Sequence, residues 1–301
     1  MPDNKPAIGL VAVPGRRQRT VELAREIEDR GYSGIYCPSI GDGLALCQAI
    51  GAVTRTIRFG TGIAPIYYRQ PADFAQTISL IHELSGGRFD FGIGVAHERS
   101  LTARGIVAGK PLGDTQEFVA ALRGREDAGE LPPIILATLR KKMISLASEI
   151  GDGILFANAA RSHMQESLSA LSAEQRDGDY FVGNMIPTCV HDSLEIARGV
   201  NRRTLSSYAG LPNYRNYWRE AGYHVEMDAV EKCLADGRPK DVGQALSDAW
   251  VDDTTLAGPP SRIKEELERW AEAGVKTPII VPSSANGGQM KAFEELFGAL
   301  G

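Results

Sequence analysis

The chain has 301 residues, with 33 Lys and Arg against 38 Asp and Glu, a net charge of -5 and 43% hydrophobic residues, the profile of an ordinary globular protein. A mildly acidic chain without a basic block argues against a nucleic-acid surface, and no apolar run reaches the ~18 residues of a membrane span. The opening text, MPDNKPAIGLVAV, lacks a basic stretch ahead of a long apolar core, so no signal peptide is expected and a cytoplasmic location is.

Eight short, β-rich apolar runs alternate with amphipathic helical text. In chain order the predicted strands are Ala7–Val13, Gly34–Cys37, Ile57–Ile63, Phe89–Val95, Pro133–Ala137, Gly153–Ala157, Tyr180–Val190 and Thr277–Pro282. Runs such as Ile134-Ile135-Leu136 and Pro278-Ile279-Ile280-Val281 do not alternate with polar residues, which suits strands buried on both faces of a parallel sheet. Before strands two, four, six and eight the text passes through Gly31, Gly86-Gly87, Gly151-Asp152-Gly153 and Gly274. A glycine just past a helix accepts the left-handed conformation that closes the last turn. Eight βα units predict an α/β fold of the closed (β/α)8 TIM-barrel type. The alternative is an open doubly wound sheet, against which the absence of an early GxGxxG counts.

The spacing between strands seven and eight is far longer than one return helix. Helical text covers Ser193–Ser206, Val225–Ala235 and Gln244–Trp250, and the last return helix is expected at Ser261–Ala273. No Pro/Ser linker sets this stretch apart, so it reads as a helical insertion (about 192–258) within a single domain spanning 1–301. Its aromatic segment, Leu211–Trp218, suits a lid, a subunit contact or local packing of the inserted helices.

In a βα barrel the working residues lie at the strand C-terminal ends and in the loops that follow. That rule nominates Pro14–Gln18, Cys37–Asp42, Gly62–Tyr68, Gly94–Glu98, Ala137–Lys141, Ala157–Arg161 and Pro187–His191. Gly60, Gly62, Gly92 and Gly94 interrupt buried strands, which marks a bulge, tight packing or the close approach of a flat ligand. Thr138-Leu139-Arg140-Lys141-Lys142 opens the helix after strand five. A helix N-terminus favours an anion, and cations there oppose the macrodipole, so the run is either an anion site or a solvated basic face. His97 follows strand four at the expected mouth, where it is placed to bond a ligand or exchange a proton.

Cys37, Cys47, Cys189 and Cys233 form no CxxC pair and show no metal-ligand spacing, so reduced thiols and no metal site are expected. Cys37 and Cys189 read as buried small hydrophobes. GxSxG, HExxH and Walker patterns are absent, which removes the commonest hydrolase and nucleotidase readings.

Ile57–Pro71 (IRFGTGIAPIYYRQP), Leu84–His97 (LSGGRFDFGIGVAH), Gly109–Leu122 (GKPLGDTQEFVAAL), Leu136–Ala157 (LATLRKKMISLASEIGDGILFA) and Leu211–Trp218 (LPNYRNYW) resemble the luciferase-like family of flavin- and deazaflavin-dependent oxidoreductases. Within it they look like the branch that uses coenzyme F420. The resemblance implies a cofactor ring in the barrel mouth, backed by a strand-three bulge at Gly62, Ile63 and Ala64 that carries a non-prolyl cis peptide. It implies that Gly94, Val95, Ala96 and His97 line the ring, and that Ala137, Thr138, Leu139 and Arg140 hold the phosphate. Asn158 and Arg161 would touch the cofactor tail. The activity implied is hydride transfer between reduced deazaflavin and a C=C, C=N or C=O group of a small-molecule or peptide substrate, in a homodimer, with proton exchange through His97 or Ser39. The alternatives are an FMN-dependent monooxygenase and a barrel that binds cofactor without turnover. Two departures stand out. Relatives carry Asp or His at the end of strand two, where this chain has Cys37-Pro38-Ser39. Relatives open the helix after strand five with Gly-Pro, where this chain has Arg140 and Lys141.

Overall fold

A computed structural model describes residues 5–301. By its contacts the chain groups into two compact units, one of residues 5–155 and 170–182, the other of residues 156–169 and 183–301.

In the first unit the apolar runs become strands β1 (Ala7–Gly9), β2 (Gly34–Cys37), β3 (Arg58–Pro65), β4 (Phe89–Gly94), β5 (Ile134–Ala137) and the first three residues of β6 (Gly153–Ala157). Each pairs in parallel with the next in chain order. Every residue of β2 and β4 is buried, which explains why their sequences do not alternate. Return helices Arg17–Asp29, Gly43–Val53, Pro71–Leu84, Pro111–Arg123 and Lys141–Ile150 lie between the strands. Phe74 joins strand to helices: its ring lies 5.4 Å from Phe91 on β4 and 5.4 Å, edge-on, from Phe118.

The glycine device holds at three of its four joints. Gly31, Gly86, Gly87 and Gly274 have φ of 74°, 66°, 80° and 96°. The joint at 151–153 differs, because Gly151 ends its helix in extended conformation at φ -118°. Its glycine answers crowding: a Cβ there would stand 2.7 Å from Leu136 Cδ1 and 2.9 Å from the Ala147 carbonyl.

In the second unit, β7 (Phe181–Val190) pairs in parallel with β9 (Thr277–Ser283) from Gly183 onward. A further short strand, β8 (Leu256–Gly258), pairs with the end of β7. The sequence reading placed only helices there, since three residues, Leu-Ala-Gly, are too few to show a period. Helices Leu194–Ala209, Pro212–Glu220 and His224–Ala235 precede it. The helix expected at Gln244–Trp250 is two elements, a 3-10 turn (Pro239–Ala245) and a helix (Asp248–Thr254). Ser247 makes the break: its hydroxyl accepts from Trp250 N at 3.1 Å and starts the new helix. The aromatic segment is interior packing. Tyr217 and Trp218 are fully buried, and Trp218 meets Trp250 edge-on at 4.7 Å.

Candidate active site

The strand-three bulge is present. Thr61 pairs with Phe91 and Ala64 with Ile93, so three steps along β3 match two along β4. The Thr61 hydroxyl donates to the Gly92 carbonyl at 2.7 Å and pins the bulge to its neighbour. Gly92 is what admits the bulge: a Cβ there would sit 2.0 Å from Thr61 O and 2.5 Å from Gly62 O. Gly60 plays the same part against Asp90, whose carbonyl would lie 2.3 Å from an added Cβ. Of the interrupting glycines, these two therefore serve strand packing. No peptide among the described residues is cis, so the cis bond expected at Gly62–Ala64 is corrected to trans. The extra residue is taken up by the register shift over Gly92.

Gly94, last in β4, lies close against both neighbouring strands. A Cβ there would reach 2.9 Å from Ala137 Cβ on β5 and 3.1 Å from Ile63 Cγ2 on β3. Val95, Ala96 and His97 follow it, all half-buried. His97 precedes helix Glu98–Thr102, and its carbonyl accepts from Ser100 N and Leu101 N. Burial lowers its pKa below the ordinary histidine value, so the neutral imidazole prevails at pH 7.

A cavity of about 300 Å³ lies beside the bulge. Ser39 and Asp42 from the loop after β2 line it, with Ile63 and Ala64 of the bulge and Tyr68, Arg69 and Arg104 beyond. Asp42 caps helix Gly43–Val53 by accepting from Ala45 N at 3.1 Å and receives Arg69 at 3.0 Å. The Arg104 guanidinium stacks on the Tyr68 ring at 4.3 Å. Ser39, Ile63 and Ala64 thus meet at one cavity, whereas the residues lining it do not include His97. Arg104 was missed from the sequence. It lies in the turn after helix Glu98–Thr102, in the long segment after β4, where no period points inward.

The segment after β5 fits an anion. Thr138 is buried, its N donates to Leu155 O at 2.9 Å, and its hydroxyl has no hydrogen-bond partner. Arg140 precedes helix Lys141–Ile150, which has no acid in its first turn, and its carbonyl accepts from Met143 and Ile144. An acid-free helix start that follows an orphaned hydroxyl is chemically suited to an anion such as phosphate.

Asn158 and Arg161 belong to the second unit. Asn158 is buried at φ 59°, in the left-handed region. Its N donates to Met185 O, its carbonyl accepts from Trp218 Nε1, and its side chain hydrogen-bonds Tyr208 and Tyr214. The Arg161 guanidinium is committed to an ion pair with buried Glu266.

The family model for luciferase-like monooxygenases matches residues 6–277. A Mycobacterium tuberculosis protein named as a coenzyme F420-dependent oxidoreductase is 24% identical, over 89% of this chain and 92% of its own. The 5,10-methylenetetrahydromethanopterin reductase of Archaeoglobus fulgidus is 27% identical, over 80% of this chain and 81% of its own. Among solved structures, the coenzyme F420-dependent tetrahydromethanopterin reductase of Methanopyrus kandleri aligns with a TM-score of 0.75, 15% identity and 97% of both chains covered. The bulged parallel strands and this likeness define a (β/α)8 TIM-barrel fold, as the sequence predicted. The chain belongs to the luciferase-like monooxygenase family.

Proposed function

We propose that this chain is a coenzyme F420-dependent oxidoreductase that passes hydride between the reduced deazaflavin and a C=C, C=N or C=O group of an organic substrate. The observation that carries the reading is the buried, unpartnered Thr138 hydroxyl beside the acid-free start of helix Lys141–Ile150. An orphaned buried donor costs about 1–3 kcal/mol, and a ligand phosphate at this helix end would satisfy it. The F420-dependent relatives support the same cofactor. When bound, the deazaflavin would supply the hydride carrier, and the protein's share is binding and orientation.

Thr138 and the N–H groups opening the helix hold the phosphate. Gly62, Ile63 and Ala64 offer a backbone wall at the bulge, and the missing Cβ of Gly94 lets Ile63 and Ala137 pack close beside it. Neutral His97 is an acceptor for a proton released at the mouth. Ser39, exposed at the cavity, relays a proton through water and does not replace an acid of its own.

The test is anaerobic titration with coenzyme F420, read by its fluorescence, in parallel with FMN. Saturable deazaflavin binding, followed by absorbance changes of hydride transfer with an unsaturated substrate, is the expected result. Tight FMN binding without deazaflavin binding, and oxygen consumption with substrate, would establish the flavin monooxygenase reading instead.

A further inference from the structure

The cavity beside the bulge is charged unequally. Asp42 is its carboxylate, and Arg69 neutralises it at 3.0 Å while Asp42 also caps its helix. Arg104 is different: no carboxylate lies within ion-pair distance of it among the described residues. The residue is exposed, and its guanidinium carbon lies over the Tyr68 ring, 4.3 Å from the centroid. A stacked guanidinium keeps its N–H edge free for a planar, bidentate partner. Ser39 adds a hydroxyl to the lining, and Leu44, Ile63, Ala64 and Phe74 are its apolar members. A volume of about 300 Å³ sits at the small end for ligand pockets.

We propose that the substrate of this site is a small planar organic carboxylate, with Arg104 as the residue that selects the acid over its uncharged analogues and Tyr68 as the residue that positions Arg104. The proposal rests on the oxidoreductase reading above, for it names that reading's substrate class. The acid's carboxylate meets the Arg104 fork, and its body lies on the Ser39 and Asp42 side of the cavity, which leaves Ile63 and Ala64 to the cofactor ring. The Asp42–Arg69 pair adds no net charge to the cavity, so Arg104 calls for one anionic group and a diacid gains nothing over a monoacid.

The experiment is calorimetric titration of the full chain with benzoate, cinnamate and sorbate, each against its primary amide and, for the diacid comparison, fumarate. At least one acid is expected to bind about tenfold more tightly than its amide, the strength of one exposed charge-assisted contact. Arg104→Gln is expected to remove that preference and leave amide binding unchanged. Tyr68→Phe keeps the ring and the preference, whereas Tyr68→Ala loses it. Circular dichroism and deazaflavin affinity, both expected unchanged in these variants, separate a lost contact from a lost fold. With substrate turnover, Arg104→Gln raises KM for the acid and spares kcat. Acids binding no better than amides across the panel, or R104Q leaving the preference intact, would overturn the proposal. So would competition between the acid and F420, which would assign the cavity to the cofactor itself. Acid binding with no F420 binding would instead sink the oxidoreductase reading while leaving the carboxylate site standing.

Discussion

Gly92→Ala is the sharpest probe of the bulge. The added methyl would fall 2.0 Å from Thr61 O and 2.5 Å from Gly62 O, both backbone atoms, where real Cβ contacts stay beyond 3.0 Å. No side chain can rotate away, so β3 and β4 must part by about 1 Å or the bulge must flatten. Overpacking of a well-filled interior costs typically 1–3 kcal/mol, and a backbone obstacle puts this case at about 3 kcal/mol or more. For a chain of this size that is a fall in Tm of about 5 °C or more. The bulge that backs the proposed ring moves with it, so F420 affinity should fall too. Gly113→Ala is the matched control. Gly113 lies in helix Pro111–Arg123 with nothing within 4 Å of an added Cβ, so alanine there should stabilise by about 0.5–1 kcal/mol. Differential scanning calorimetry on the three proteins reads both effects. Equal melting of G92A and the parent would refute the packing argument.

Thr138→Val should raise the stability of the cofactor-free protein by about 1 kcal/mol, by removing an orphaned hydroxyl, and weaken F420 binding about tenfold; a variant that loses stability and binds normally would contradict the anion-site assignment. Glu28 accepts from the N–H groups of Arg55, Thr56 and Ile57 at 2.9, 2.7 and 2.9 Å. Burial pushes its pKa up, but these donors and the Thr56 hydroxyl hold it below the usual value. A depressed folded-state pKa gives stability that is present above the unfolded pKa of about 4.3 and lost as the pH falls through the folded value. Glu28→Gln should therefore cost about 1–2 kcal/mol at pH 7, with the gap closing toward pH 3 in urea titrations; a gap of constant size would exclude the linkage. Arg161→Gln removes one partner of buried Glu266, which keeps Arg269 at 2.8 Å. It should lower stability by about 1–2 kcal/mol and leave F420 affinity within about twofold; a larger loss of affinity would return Arg161 to the cofactor tail.

The barrel was legible because its cause is local. Strands buried on both faces must be apolar throughout, as Ile134-Ile135-Leu136 and Phe89–Gly94 are, and helices that turn back onto them end on glycines such as Gly31 and Gly274. The residues at strand ends then followed from chain order alone, so Ser39, Gly62–Ala64, His97 and Thr138 could be named in advance. What they do there could not. Whether Gly92 spares a ligand or a neighbouring strand depends on where the Thr61 and Gly62 carbonyls lie, and that is a fact of register between strands. Arg161 reads as a cofactor-tail contact, and its ion pair with Glu266, 105 residues away in the chain, is visible only in the structure. Arg104 carries no periodic signal, and only its stacking on Tyr68 singles it out. Sequence alone thus determined which elements form and in what order, because burial period and helix ends are set within a few residues. The tertiary structure decided which charges are spoken for and which glycine makes room for what, because those depend on atoms brought together from distant parts of the chain.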